Sequence, residues 1–192
     1  MKKVFAKNLR DKKCLLEIPN DKPGWYKWWV PRESLELLLN SKYISKEYFD
    51  EIFSSLTSKM FDGVEYYYIY VGVAVRESIR DRLNWHVNQK HSKTSVVSGF
   101  LSTFRQSISS LVAYNQYDEE STNQMIDTFL IEYEFLDLEI RSEEAKIKIE
   151  EIEKKEMNSN TLPINIKDNK NLVVKEFLKE LKNVRKKAKE VL

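Results

Sequence analysis

Two tripeptides, Gly24-Trp25-Tyr26 and Tyr70-Val71-Gly72, each set a tyrosine two residues from a glycine. The chain holds only 4 glycines in 192 residues, so half of them stand in these two places. Further on, Arg82 and His86 are four apart and share one face of a helix. An arginine there offers phosphate oxygens a planar donor fork that is always charged. Glu143, Glu144, Glu150, Glu151, Glu153 and Glu156 crowd one later segment, and Asn165 follows Pro163 in a loop. A single carboxylate suffices to hold a hard cation that keeps most of its waters and takes other ligands from a phosphate. Hydrolysis of a phosphodiester asks for such a set: a water held in line, neutralised phosphate charge and a stabilised leaving oxygen.

Each residue also has a plainer use. Tyr26 stands among Trp25, Trp28 and Trp29, as a core aromatic would, and Tyr70 follows Tyr66, Tyr67 and Tyr68. Arg76 and Arg80 compete with Arg82, and most glutamates on a charged helix are simply solvated. Asn165 also suits an ordinary turn.

The elements that would position these groups alternate. Trp25–Val30 and Val64–Ala74 are aromatic and β-branched and predict strands, with Asp62-Gly63 as a turn before the second. A helix from Pro31 and another from Ser45 to about Leu56 separate them. Periodicity predicts helices over Glu77–His91 and Leu101–Tyr114, with a short one over Glu119–Asp127. Phe129–Phe135 alternates with Glu132 and Glu134, which predicts a third strand with one wet face. Ser142 caps a charged helix to about Met157, and an amphipathic helix runs from Leu172. Ser102–Ser107 puts hydroxyls, Arg105 and Gln106 at a helix start, as phosphate-contacting helices do and as ordinary capped helices also do. This is an α+β arrangement.

The ordered set resembles the GIY-YIG nuclease family over about residues 24–166. That family has a GIY strand, a YIG strand, a helix with Arg and often His four residues on, a third strand, a helix bearing one Glu, and a loop ending in Asn. The resemblance implies a small three-stranded antiparallel sheet flanked by helices. It makes Tyr26, Tyr70, Arg82, His86, Glu153 and Asn165 the catalytic set, with Tyr26 helping to deprotonate water and Tyr70 positioning water or phosphate. Glu153 is chosen because it follows Ile152 and precedes Asn165 by a dozen positions, as the family's glutamate does; Glu150 and Glu144 are the alternatives. Glu153 is then the metal ligand, for Mg²⁺ or Mn²⁺, and DNA the partner. The chain departs from the pattern in a helical insertion over about 31–60, in Trp25 for the usual Ile, in Val73 where many members have Lys, and in Pro163 lying one place closer to the asparagine.

Composition bounds the rest. Lys+Arg 32 against Asp+Glu 30 leaves +2, too little to argue for nucleic acid without knowing where the charge sits. The basic first thirteen residues and the tail 175–192, locally +4, are candidates to line a DNA channel. No apolar run is long enough for a membrane span, no secretory signal is expected, and a lone Cys14 excludes cysteine-pair zinc sites and suits a reducing, cytoplasmic setting. One domain over 1–192 is expected, with its core at about 24–166 and a C-terminal helix at about 172–192. A restriction- or mobile-element-like DNA endonuclease is the leading expectation, with a homodimer as one form it takes. The rivals are a non-cleaving nucleic-acid-binding module on the same fold and a purely structural interaction protein.

Overall fold

The computed structural model describes residues 1–39, 42, 44–98, 100–113 and 116–191. In chain order come β1 (Lys2–Phe5), a 3-10 turn (Ala6–Arg10), α1 (Lys12–Leu16), β2 (Gly24–Pro31), α2 (Arg32–Leu38), α3 (Lys46–Ser55), β3 (Ser58–Phe61) and β4 (Val64–Ala74). Then follow α4 (Ile79–Asn88), α5 (Lys93–Val97), α6 (Thr103–Val112), α7 (Glu119–Asp127), β5 (Leu130–Phe135), α8 (Glu143–Ser159) and α9 (Lys175–Glu190). Serines cap several of these helices as their positions suggest: Ser45, Ser78, Ser102 and Ser142 each accept from a backbone N–H three residues on. Gly99 and Tyr114 lie outside the described residues.

The sheet has five strands, in the order β1-β5-β2-β4-β3, all antiparallel. This corrects the expected three, which form its centre as β5-β2-β4. The two additions are four-residue edge strands carrying lysine, as edges that must not template further pairing tend to be. Such short pieces leave no alternating run to read. β3 joins β4 through Asp62 and Gly63, both at positive φ (47° and 79°), which the two-residue hairpin loop requires. The insertion between β2 and β4 therefore holds two helices and an edge strand.

Both faces of the sheet are covered. On one, Tyr26, Trp28, Tyr67, Ile69 and Ile131 pack with residues of α2, α4, α6 and α9. On the other, Trp25, Trp29, Tyr66, Tyr68 and Leu130 pack with Ile149 of α8 and Leu162. The wet face expected of β5 is corrected at Glu132, which is ion-paired to Lys59 at 2.5 Å and mostly covered because α8 and the β3 edge close over it, whereas Glu134 is exposed.

The pairing of β2 with β4 slips by one residue. Trp28 opposes Tyr70 but Trp29 opposes Tyr68, which leaves Ile69 as a bulge. Strict alternation would put Tyr66, Tyr68 and Tyr70 on one face. The bulge reverses the alternation, so that Tyr70 packs with Tyr26 on one side while Tyr66 and Tyr68 pack on the other.

Candidate active site

Tyr26 and Gly72 are paired across β2 and β4. A Cβ on Gly72 would fall 2.3 Å from the phenol oxygen of Tyr26, so the glycine exists to let that ring lie flat over the neighbouring strand. Gly24 serves similarly, since a Cβ there would meet the Glu134 carbonyl at 2.2 Å. Neither glycine is needed for its φ; both permit close approach. The ring of Tyr70 lies 6.4 Å from that of Tyr26, centroid to centroid.

The α4 helix lays His86 against this pair. Tyr26 Oη and His86 Nε2 are 2.5 Å apart, and His86 Nδ1 lies 2.9 Å from Ser102 Oγ. Tyr26 and His86 are 1% and 2% exposed, whereas Tyr70 opens onto a cleft. Burial holds the His86 pKa well below its usual 6.5, with Arg82 and Arg105 adding to the effect, so the ring is neutral at physiological pH. Burial likewise raises Tyr26 well above 10. Tyr70 is pushed up to about 12 by burial and by the Glu153 charge, with Arg82 and the Tyr26 hydroxyl pulling the other way.

The cleft, about 670 Å³, lies where β4 outlasts β3. Among the described residues the outer edge of β4 has no partner strand beyond Tyr67, and Asn165 fills the gap. Its Oδ1 accepts from Val71 N–H at 2.9 Å and its Nδ2 donates to Val71 C=O at 2.8 Å, while Ile164 N–H donates to Ile69 C=O at 3.2 Å. The side-chain amide thus imitates one peptide of a missing strand and satisfies two buried backbone groups. Tyr70, Glu153, Glu150, Thr103, Asn165 and Val73 are among the residues lining the cleft. Edge placement explains how side chains from opposite sheet faces meet: α8 brings Glu153 from one side, and α6 brings Thr103 from the other.

Among the described residues Glu153 makes no hydrogen bond or ion pair, and its pKa is raised, mainly by burial. Asp168 and Glu150 push it the same way, while Lys167 opposes. Glu150 lines the cleft but is exposed, and Glu144 pairs with Lys148 at 2.7 Å beside a different cleft. Arg82 is held in an ion pair by Glu77, with its guanidinium 4.8 Å over the Trp85 ring and its buried Nε without a partner among the described residues. Its charge acts on both tyrosines. Arg80 instead donates to the carbonyls of Ile18 and Leu16, a structural use.

Comparison across protein families matches the GIY-YIG catalytic domain over residues 24–187. The chain belongs to the GIY-YIG family. No curated protein and no solved structure matches it. Membership carries a nuclease-type function in general terms, and the matched span takes in every predicted site residue.

In this GIY-YIG domain the fold draws Tyr26, Tyr70, His86 and Arg82 together, and sets Glu153 and Asn165 around the same cleft. Asn165 is occupied with the β4 backbone, so its part is to position. Sequence reasoning missed Glu77, which restrains Arg82. Ser102, expected either to meet phosphate or to cap a helix, caps α6 and touches His86. Arg105 is corrected: it is fully buried and bonds to His91, the carbonyls of His86 and Val87, and Asn123, so it ties α6 to the end of α4, the segment after it and α7, and meets no phosphate. Arg10 does similar work, paired with Asp127 at 2.7 Å and donating to Val87 C=O, instead of lining a channel. No group of three His, Cys, Asp or Glu suited to a metal occurs among the described residues. A lone, unpartnered carboxylate facing an open cleft nonetheless fits an Mg²⁺-type ion, whose remaining ligands come from water and phosphate.

Proposed function

We propose that this GIY-YIG domain is a divalent-metal-dependent DNA endonuclease of restriction- or mobile-element type. The observation that carries the reading is the Tyr26 hydroxyl held 2.5 Å from a neutral histidine behind a cleft with an unpartnered carboxylate. Glu153 would hold Mg²⁺ or Mn²⁺, and a divalent ion there supplies neutralisation of phosphate charge and stabilisation of the leaving oxygen. Arg82, restrained by Glu77 and stacked on Trp85, presents its remaining N–H groups to a phosphate oxygen with little orientation left to lose. Tyr26 would take the proton of the attacking water as a phenolate, its own proton having left by way of Tyr70 to the cleft; Arg82 and the divalent cation favour that form, and the histidine against its oxygen stabilises it by hydrogen bonding. Tyr70, on the cleft wall, positions that water.

The test is cleavage of supercoiled plasmid with Mg²⁺ or Mn²⁺ by wild type, Glu153→Ala and Arg82→Ala. Wild type is expected to cut, and both variants to bind DNA without cutting. Salt-dependent binding without cutting by wild type, across plasmids of varied sequence, would identify a binding module instead. Cutting that survives Glu153→Ala would move the metal to Glu150.

A further inference from the structure

We propose that α9 is a DNA-backbone track that continues the cleft, a reading that rests on the nuclease function above and names the surface that grips the substrate. Its inward residues Phe177, Leu181, Val184 and Ala188 are buried, chiefly against α6. On another face Lys175, Lys179, Lys182, Lys186 and Lys189 recur at intervals of four and three, a single stripe. Residues 175–190 hold seven cations and three glutamates, a net of +4 against +2 for the entire chain, so the rest sums to −2. The positive charge is therefore concentrated here. Among the described residues Lys182, Lys186 and Lys189 have no acidic partner, and with Arg185 they line a concavity of about 270 Å³.

Arg185 ties this face to the catalytic cleft. It donates to Gln106 Oε1 at 2.9 Å, its buried Nε has no partner among the described residues, and its charge acts on Tyr70. Gln106 lies one turn along α6 from Thr103, which lines the cleft. Sixteen residues of helix span about 24 Å, the axial length of about seven base pairs. A duplex whose scissile phosphate sits between Tyr70 and Glu153 would run its flanking phosphates along this stripe.

The test is anisotropy of a fluorescein-labelled DNA duplex in EDTA, titrated at several salt concentrations. It compares wild type, Lys182→Gln/Lys186→Gln/Lys189→Gln, and a control, Lys46→Gln/Lys90→Gln/Lys148→Gln, at exposed lysines away from the cleft and from α9. The α9 variant is expected to bind at least tenfold more weakly at low salt and to lose about 2–3 from the slope of log K against log salt, as three lost phosphate contacts would require. Equal affinities and slopes for the two triple variants would overturn the proposal. If wild type cuts plasmid and the α9 variant binds like the control, the track alone fails. If wild type shows no salt-dependent binding, the track and the DNA reading fail together.

A separate observation assigns Ser102 as a positioning residue for His86. Ser102 is 3% exposed, and its Oγ already accepts from Arg105 N–H at 3.0 Å. Among the described residues its only other partner is His86 Nδ1, so its own proton has one acceptor to go to. Ser102 O–H therefore donates to Nδ1, which leaves the proton of the neutral ring on Nε2, donated to the Tyr26 oxygen, while the Tyr26 O–H turns to the Tyr70 oxygen. Long-range ¹H–¹⁵N correlation spectra of the wild type are expected to show the Nε2–H tautomer of His86, retained in Ser102→Thr. An Nδ1–H tautomer in wild type would overturn the assignment, as would an unchanged spectrum in Ser102→Ala.

Discussion

The two faces of the sheet are made of the same residue types and behave differently. One carries Tyr26, Trp28 and Tyr70, the other Trp25, Trp29, Tyr66 and Tyr68. Burial raises the pKa of both Tyr26 and Tyr68, so a perturbed tyrosine does not by itself mark the site. On the Tyr68 face the charges are spent on each other: Lys27 pairs with Glu156 at 2.8 Å and Lys59 with Glu132, with Lys59 3.8 Å over the Trp29 ring. Across the sheet Tyr26 instead has an uncharged histidine, and at the open edge where the two faces meet Glu153 of α8 is left without a partner. The difference lies in unspent polar capacity beside an opening.

That contrast breaks most sharply at the hydroxyls. Tyr26→Phe is expected to lower plasmid cleavage by roughly 10²–10⁴-fold, while Tyr68→Phe stays within about twofold of wild type in the same assay. Gly72→Ala tests the close approach that only the Tyr26 face requires. The new Cβ displaces the phenol, and a loss of about 1–3 kcal/mol in urea unfolding is expected, together with most of the activity. Asn165→Ala leaves a buried N–H and C=O of β4 without partners, at a cost of about 2–4 kcal/mol in the same measurement.

Glu153→Gln sharpens the comparison through pH. The folded-state pKa of Glu153 is raised, so the wild-type side chain is favourable when protonated and loses that contribution as pH rises through the raised value. The variant is therefore expected to melt higher than wild type at neutral pH, with the gap closing below about pH 4. Adding Mg²⁺ at neutral pH should raise the wild-type melting temperature and leave that of Glu153→Gln unchanged. The smallest effect belongs to the exposed pair Glu144–Lys148, where Lys148→Ala should change stability by about 0.5 kcal/mol or less and cleavage not at all.

The central strands, the caps and the helix bearing Arg82 and His86 were legible because each follows from local pattern. The strand β3 does have a signal, since Asp62-Gly63 is a strong hairpin turn, but the helical insertion expected over about 31–60 covers most of the strand before that turn. β1 gave no signal, since Lys2–Phe5 reads as charge. The face of Tyr70 could not be read at all, because period-two reasoning groups it with Tyr66 and Tyr68, and only the bulge at Ile69 reverses that. Burial of Arg105 was equally hidden, as its partners at His86, Val87, His91 and Asn123 come from other elements.

The Asn165 amide closes a contact across 94 positions of chain. Contacts of that span carry a large loop-closure entropy and form late. The tyrosines, Arg82 and His86 all precede residue 90, so a nascent chain that has emerged only that far holds them without the carboxylate or the clasp on Val71. The proposed cleavage would then wait until the segment bearing Glu153 and Asn165 has been made and has folded around the cleft.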